Sequence, residues 1–197
     1  MNSHSARAIG SSIVLVGLMG AGKSCIGRRL AARLGLAFTD ADTEIEAAAG
    51  CSIEEIFEHH GEAAFRDGER RVIARLLNGP GRVLATGGGA YMDPQTRAQV
   101  REHAISVWLR ADLDLLHRRT SRRDTRPLLK RGNPLDILNR LMTERYPVYA
   151  EADVTVVSDD GLPDATVERV YQGIEAYLAA RAAPETAEPQ ASEDASP

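Results

Sequence analysis

The sequence predicts an α/β fold of three layers, a parallel sheet with helices on both faces. Three observations point there. Short aliphatic runs recur between longer amphipathic stretches, and the glycine-rich stretch GLMGAGKSC (17–25) leaves the first run directly. The third is size: 197 residues with two cysteines suit one domain that buries its core without disulfides or a structural metal.

The aliphatic runs at 13–16, 36–39, 83–85, 105–109 and 154–157 are too short and too apolar for surface helices, and read as strands. The first helix is expected over 22–34, with Ile26, Leu30 and Leu34 on one face and Gly35 as its stop. Ser52 with Glu55 three residues later forms a capping box ahead of Ile56 and Phe57, and a helix continues over 62–77. Further helices are expected over 94–102, 112–120, 134–150 and 164–181. Residues 121–133, SRRDTRPLLKRGN, are dense in cations and hold Pro127 and Gly132, which reads as an exposed mobile loop. The expected organisation is a flexible N-terminus over 1–10, one domain over 11–183 and an aperiodic, disordered acidic tail over 184–197.

Charge narrows the function classes. The net charge of -4 belongs to the tail, whose Glu185, Glu188, Glu193 and Asp194 face no base; the remaining body is balanced. That balance argues against a nucleic-acid partner. No apolar run approaches the length of a membrane span, and the first residues lack the pattern of a secretory signal, so a cytoplasmic location is expected. Of the basic residues, 22 are arginine and only Lys23 and Lys130 are lysine. A lysine within the glycine loop of so arginine-rich a chain suggests that a slim point charge is needed there.

Gly17, Gly22, Lys23 and Ser24 match G-x-x-x-x-G-K-[ST] between a strand and a helix. Such a loop turns successive backbone N–H groups toward phosphate oxygens, and the positive end of the following helix adds to the attraction. Gly20, Ala21, Gly22, Lys23, Ser24 and Cys25 are the candidate contacts to ATP, with Lys23 reaching the β- and γ-phosphates and Ser24 ligating Mg²⁺. Cys25 reads as a small packed residue, its thiol open to a lowered pKa beside a helix N-terminus.

The second strand leads into FTDADTEIE, which brings Asp40 and Asp42 to the carboxyl edge of the sheet, where doubly wound folds bind ligands. Strand alternation would turn both the same way. Asp40 is then a Mg²⁺-shell residue, the more so because no aspartate follows Val83-Leu84-Ala85. Asp42 would accept the proton of an attacking hydroxyl or orient it. The alternative is a pair that caps a helix starting near Thr43. Arg66 has Glu69 one turn on to hold its guanidinium, as a ligand cation or as a plain surface salt bridge. Gly87, Gly88 and Gly89 follow the third strand, where backbone without side chains lets a ligand approach, or makes a plain turn. Arg145 before Pro147, and Arg126 in the cationic loop, are candidate ligand cations or solvated charges. An acid and two arginines suit a small polyhydroxylated acid as acceptor.

The segments GLMGAGKS, FTDAD, SIEEIFEHHGEAAFRDGE, LATGGGA, RRDTRPLL and RYPVYAEA stand in the order and near the spacing of the shikimate kinases, which the chain resembles over about residues 11–180. The resemblance implies ATP-dependent phosphorylation of the 3-hydroxyl of shikimate, a step toward chorismate and the aromatic amino acids. It also implies a nucleoside-monophosphate-kinase-like fold with strand order 2-3-1-4-5 and a closing lid, in a monomer. By the same resemblance Asp42, Arg66, Gly88, Gly89 and Arg145 fall on shikimate-binding positions, and Arg126 falls on the lid arginine that meets ATP. Arg119 falls beside the adenine, and Ser158 and Pro163 on the adenine loop. Departures are Cys25, where threonine is more usual, and the extra basic pair Arg122-Arg123 ahead of the lid. The rival readings are a gluconate kinase-like enzyme of the same architecture and a nucleotide-binding regulator without turnover.

Overall fold

A computed structural model describes residues 11–121 and 132–183. Each aliphatic run forms a strand: β1 (Ser12–Val16), β2 (Ala37–Asp40), β3 (Arg82–Ala85), β4 (Ala104–Arg110) and β5 (Val154–Val157). They make one five-stranded sheet in the order β2-β3-β1-β4-β5, every neighbouring pair parallel. All of β1 is buried, as expected of a central strand covered on both faces.

The helices are α1 (Lys23–Leu34), α2 (Ala41–Ala49), α3 (Ile53–Leu77), α4 (Pro94–His103), α5 (Leu113–Ser121), α6 (Pro134–Tyr149) and α7 (Pro163–Ala182), with a 3-10 turn at Ala90–Met92. Their ends follow local chemistry. Gly22 precedes α1 with a φ of 98° that glycine adopts readily, and Gly35 closes the helix in the same region. The Ser52–Glu55 capping box forms as expected. The expected break before Glu62 is present: Gly61, at φ 77° and ψ 175°, leaves helical geometry, so α3 consists of two helical segments that meet there at a kink. Asp93 caps α4 through the N–H groups of Gln95 and Thr96.

Side-chain direction assigns the layers. Leu15, Val107 and Val154 stand side by side in register and so share one face of the sheet. Helix α1 lies against that face so closely that a Cβ on Gly27 would sit 2.6 Å from the Phe38 ring and 3.1 Å from Leu15. Helix α7 lies on the same face, since a Cβ on Gly173 would meet Val154. Ser106 and Trp108 point the other way, where Tyr91, Tyr146 and Tyr149 pack. The expected three layers are therefore present. A half-buried staple closes the lower edge: Asp153 accepts from the Ser106 N–H (2.8 Å) and hydroxyl (2.6 Å) and from the Tyr177 hydroxyl (2.7 Å).

Candidate active site

The strands end together. Gly17, Asp40, Thr86, Ala111 and Ser158 all lie at or just past their carboxyl ends, beside the point where the chain crosses from β1 to neighbours on either side. Thr86 and Ser158 tie the exits to one another, the first through the Leu15 carbonyl and the second through that of Arg110.

The glycine loop runs from β1 to α1. Gly17, Gly20 and Gly22 take φ values of 140°, 86° and 98°, which bend the loop around the helix N-terminus. Lys23 lies back over the loop, its Nζ donating to the carbonyls of Gly17 (2.8 Å) and Leu18 (3.1 Å). Arg119, from the last turn of α5, reaches the same loop: Nη1 donates to the Gly20 carbonyl (3.3 Å) and the Ser158 hydroxyl (3.1 Å), and Nη2 to the Asp159 carbonyl. Pro163 opens α7 just beyond. Arg119 and Ser158, from two distant stretches, thus meet the glycine loop. Arg118, paired with Asp160, joins the same corner and had no signal in the sequence beyond its charge. Cys25 is a correction. It is exposed, because its position at the start of α1 turns it away from the face that carries Ile26 and Leu30.

Ser24 Oγ donates to Asp40 Oδ2 at 2.8 Å, and Asp40 Oδ1 accepts the Asp42 N–H at 3.2 Å. Asp40 therefore caps α2 and holds Ser24 at once, so the capping and metal readings describe one carboxylate. Asp42 corrects the geometry by which the pair was expected to converge. The helix starts at Ala41, not near Thr43, because Asp40 caps it; Asp42 enters the cleft from the first helical turn rather than by strand alternation. A hydroxyl and a carboxylate, both hard oxygen donors, suit Mg²⁺, which keeps several waters and leans on phosphate oxygens instead of a full protein cage.

Across from the loop lies the turn Gly87–Gly88–Gly89. A Cβ on Gly87 would sit 2.9 Å from Asp42 Oδ1 and 3.0 Å from Glu69 Oε1; on Gly88, 3.4 Å from Arg145 Nη1; on Gly89, 2.6 Å from Arg66 Nη2. These absent side chains leave the room in which an acid, two guanidinium groups and a bare backbone converge. Gly88 also comes within 3.6 Å of the Gly17 carbonyl by the same measure, so this half of the cleft abuts the phosphate loop. Arg66 is held as expected, its Nη1 donating to Glu69 Oε2 at 2.6 Å.

Glu69 does more than its spacing implied. It is 2 % exposed, and its other oxygen has no hydrogen-bond partner among the described residues while facing Gly87 beside Asp42. Burial pushes the pKa of both acids up. For Asp42 the neighbouring Asp40 adds to the rise and Lys23 and Arg66 oppose it; for Glu69 the Arg66 guanidinium opposes it. Arg126 and most of the expected lid lie outside the described residues.

With this geometry in hand, comparison with known proteins gives a consistent result. A family model described as "Shikimate kinase" matches residues 19–175. A shikimate kinase of Paramagnetospirillum magneticum is 65% identical over 86% of this chain and 87% of its own length. The solved shikimate kinase of Acinetobacter baumannii in complex with shikimate is 38% identical, superposes with a TM-score of 0.82, and covers 87% of this chain and 97% of its own. A gluconokinase from Sinorhizobium meliloti, 18% identical with a TM-score of 0.62 over 89% of this chain and 99% of its own, shares the fold alone.

Proposed function

Since the chain belongs to the shikimate kinase family, we propose a division of labour among its own residues for the transfer of the ATP γ-phosphoryl group to the 3-hydroxyl of shikimate. The enzyme is a shikimate kinase that uses ATP. The observation that carries the residue roles is the meeting of Asp42, Arg66 and Arg145 at the Gly87–Gly89 turn, directly across from the Gly17–Ser24 loop.

The loop amides from Gly20 to Cys25 cradle the polyphosphate, and Lys23 leaves the Gly17 and Leu18 carbonyls to meet the β- and γ-phosphates. Arg119, Ser158 and Pro163 border the base. Ser24 would hold Mg²⁺ directly and Asp40 would hold it through water. Held by Ser24 and Asp40, the ion would supply positive charge to offset that of the polyphosphate.

Arg66 and Arg145 take the shikimate carboxylate, a planar anion that guanidinium groups bind as forks. The backbone of Gly87, Gly88 and Gly89 forms the floor. Asp42 accepts the hydrogen bond of the 3-hydroxyl and receives its proton as that oxygen bonds to the γ-phosphorus; the bond from phosphorus to the β,γ-bridging oxygen breaks and ADP leaves. Arg126, from the lid, adds positive charge to the transferring phosphoryl group. We read the enzyme as a monomer of the cytoplasm; no described helix is long and apolar enough to cross a membrane.

The test is ADP release by the purified protein with ATP and Mg²⁺ across shikimate, gluconate and nucleoside monophosphates. Turnover is expected with shikimate alone. Turnover confined to gluconate or a monophosphate would overturn the acceptor assignment, and ATP binding without shikimate-stimulated ADP release would make the protein a regulator.

A further inference from the structure

Two grips on the acceptor come from parts of the chain that have no local reason to stay aligned. One is the glycine turn after β3, which is short of side chains that could fix it. The other is Arg145, near the end of α6. Transfer between bound groups tolerates little error, since a misplacement of about 1 Å costs on the order of 10²-fold in rate. Something outside the cleft must hold these pieces in register.

Tyr149 joins them directly. It lies one turn beyond Arg145 on the same helix and is fully buried; its hydroxyl donates to the Gly88 carbonyl, and the Arg145 guanidinium stands near enough to oppose the rise that burial gives its pKa. A second brace comes from α4. Arg97 Nη1 donates to the carbonyls of Tyr91 (3.0 Å) and Met92 (2.9 Å), at the far end of the glycine turn. Its Nε lies 3.2 Å from Glu151 Oε2, just past the end of α6. An arginine needed only for solubility would not spend its donors on two backbone carbonyls in a half-buried site.

We propose that Tyr149 and Arg97 are positioning residues for the acceptor, fixing the Gly87–Gly89 turn to the end of α6 so that backbone floor and Arg145 keep one spacing. Neither touches the reacting atoms. Burial lifts the Tyr149 hydroxyl to about 12, so it remains a hydrogen-bond donor throughout the working range of the enzyme. The inference rests on the reading of Arg145 as a carboxylate ligand.

Steady-state kinetics with both substrates and shikimate titration of Trp108, the sole tryptophan, test it; the indole centroid lies 6.1 Å from that of Tyr149. Tyr149→Phe keeps the ring, and should raise the shikimate KM about tenfold while leaving the ATP KM within about twofold. Arg97→Ala should move the shikimate KM in the same direction, and Arg97→Lys should recover part of the loss. Because the tether serves to keep the turn in register with Arg145, the double variant Tyr149→Phe/Arg145→Ala should be no worse than Arg145→Ala. If Tyr149→Phe does not fold, the Arg97 pair carries the test. Variants that melt earlier yet keep the parent shikimate KM make both residues merely structural and overturn the proposal. An Arg145→Ala effect with silent Tyr149 and Arg97 variants overturns it alone; an Arg145→Ala variant with unchanged shikimate KM removes the carboxylate reading as well.

Discussion

Asp42 sits where burial and Asp40 both favour its protonated form, while Lys23 and Arg66 oppose them. Its pKa stands above the ordinary 3.8, so as pH falls the cleft loses the acceptor-side anion earlier than a solvated aspartate would allow. We expect kcat/KM to show an acid limb above pH 3.8 that Asp42→Asn abolishes along with about 10²-fold or more of kcat. The linkage sign gives a second readout. A carboxyl raised in the folded state favours folding at low pH and costs stability when ionised, so Asp42→Asn should keep or raise Tm at neutral pH while activity falls. A Tm loss matching the activity loss would make Asp42 structural. Glu69 differs in being held by Arg66, and was legible from sequence only as that partner. Its second, unpartnered oxygen could not be read from i,i+3 spacing, because it depends on Gly87 arriving from another element.

Among elements, close approach does what side chains cannot. Helix α1 reaches the sheet at Gly27, where a Cβ would meet the Phe38 ring at 2.6 Å. Gly27→Ala should cost about 1–3 kcal/mol of stability by denaturant unfolding, as overpacking does in a filled core. A neutral result would mean that β2 yields. Gly89 is the contrasting case: its missing Cβ faces the tip of Arg66, 2.6 Å away, and a flexible tip can move. Gly89→Ala should therefore leave Tm nearly unchanged and raise the shikimate KM several-fold; an unaltered KM would remove Arg66 from the acceptor grip. Element boundaries were legible wherever a local device sets them, as at the Ser52–Glu55 box and Gly35. They shifted where the device was misjudged: Asp40 starts α2 two residues earlier than expected.

On the scale of the whole molecule, the cleft is two half-sites that share the β1 loop. The donor half draws on α5 and the β5–α7 connection; the acceptor half draws on α2, α3, the β3 exit and α6. Among the described residues, Arg119 donates its hydrogen bonds within the donor half, to Gly20, Ser158 and Asp159. Arg119→Ala should raise the ATP KM about tenfold and leave the shikimate KM within about twofold, as measured by varying each substrate at saturation of the other. Equal losses for both would mean that the halves do not separate.

By itself the sequence determined the five strands, their alternation with helices and the phosphate loop, because each rests on periodicity or on spacing within a few residues. The acceptor class was also readable, since an acid with two arginines is a statement about chemistry before it is one about shape. Only the tertiary structure decided that Arg66, Arg145 and the glycine turn share one cleft, and that Tyr149 and Arg97 brace it. The physical reason is range. A cap or a turn is satisfied within its own segment, whereas a guanidinium acquires its partner from whichever distant element the packed sheet brings within about 3 Å.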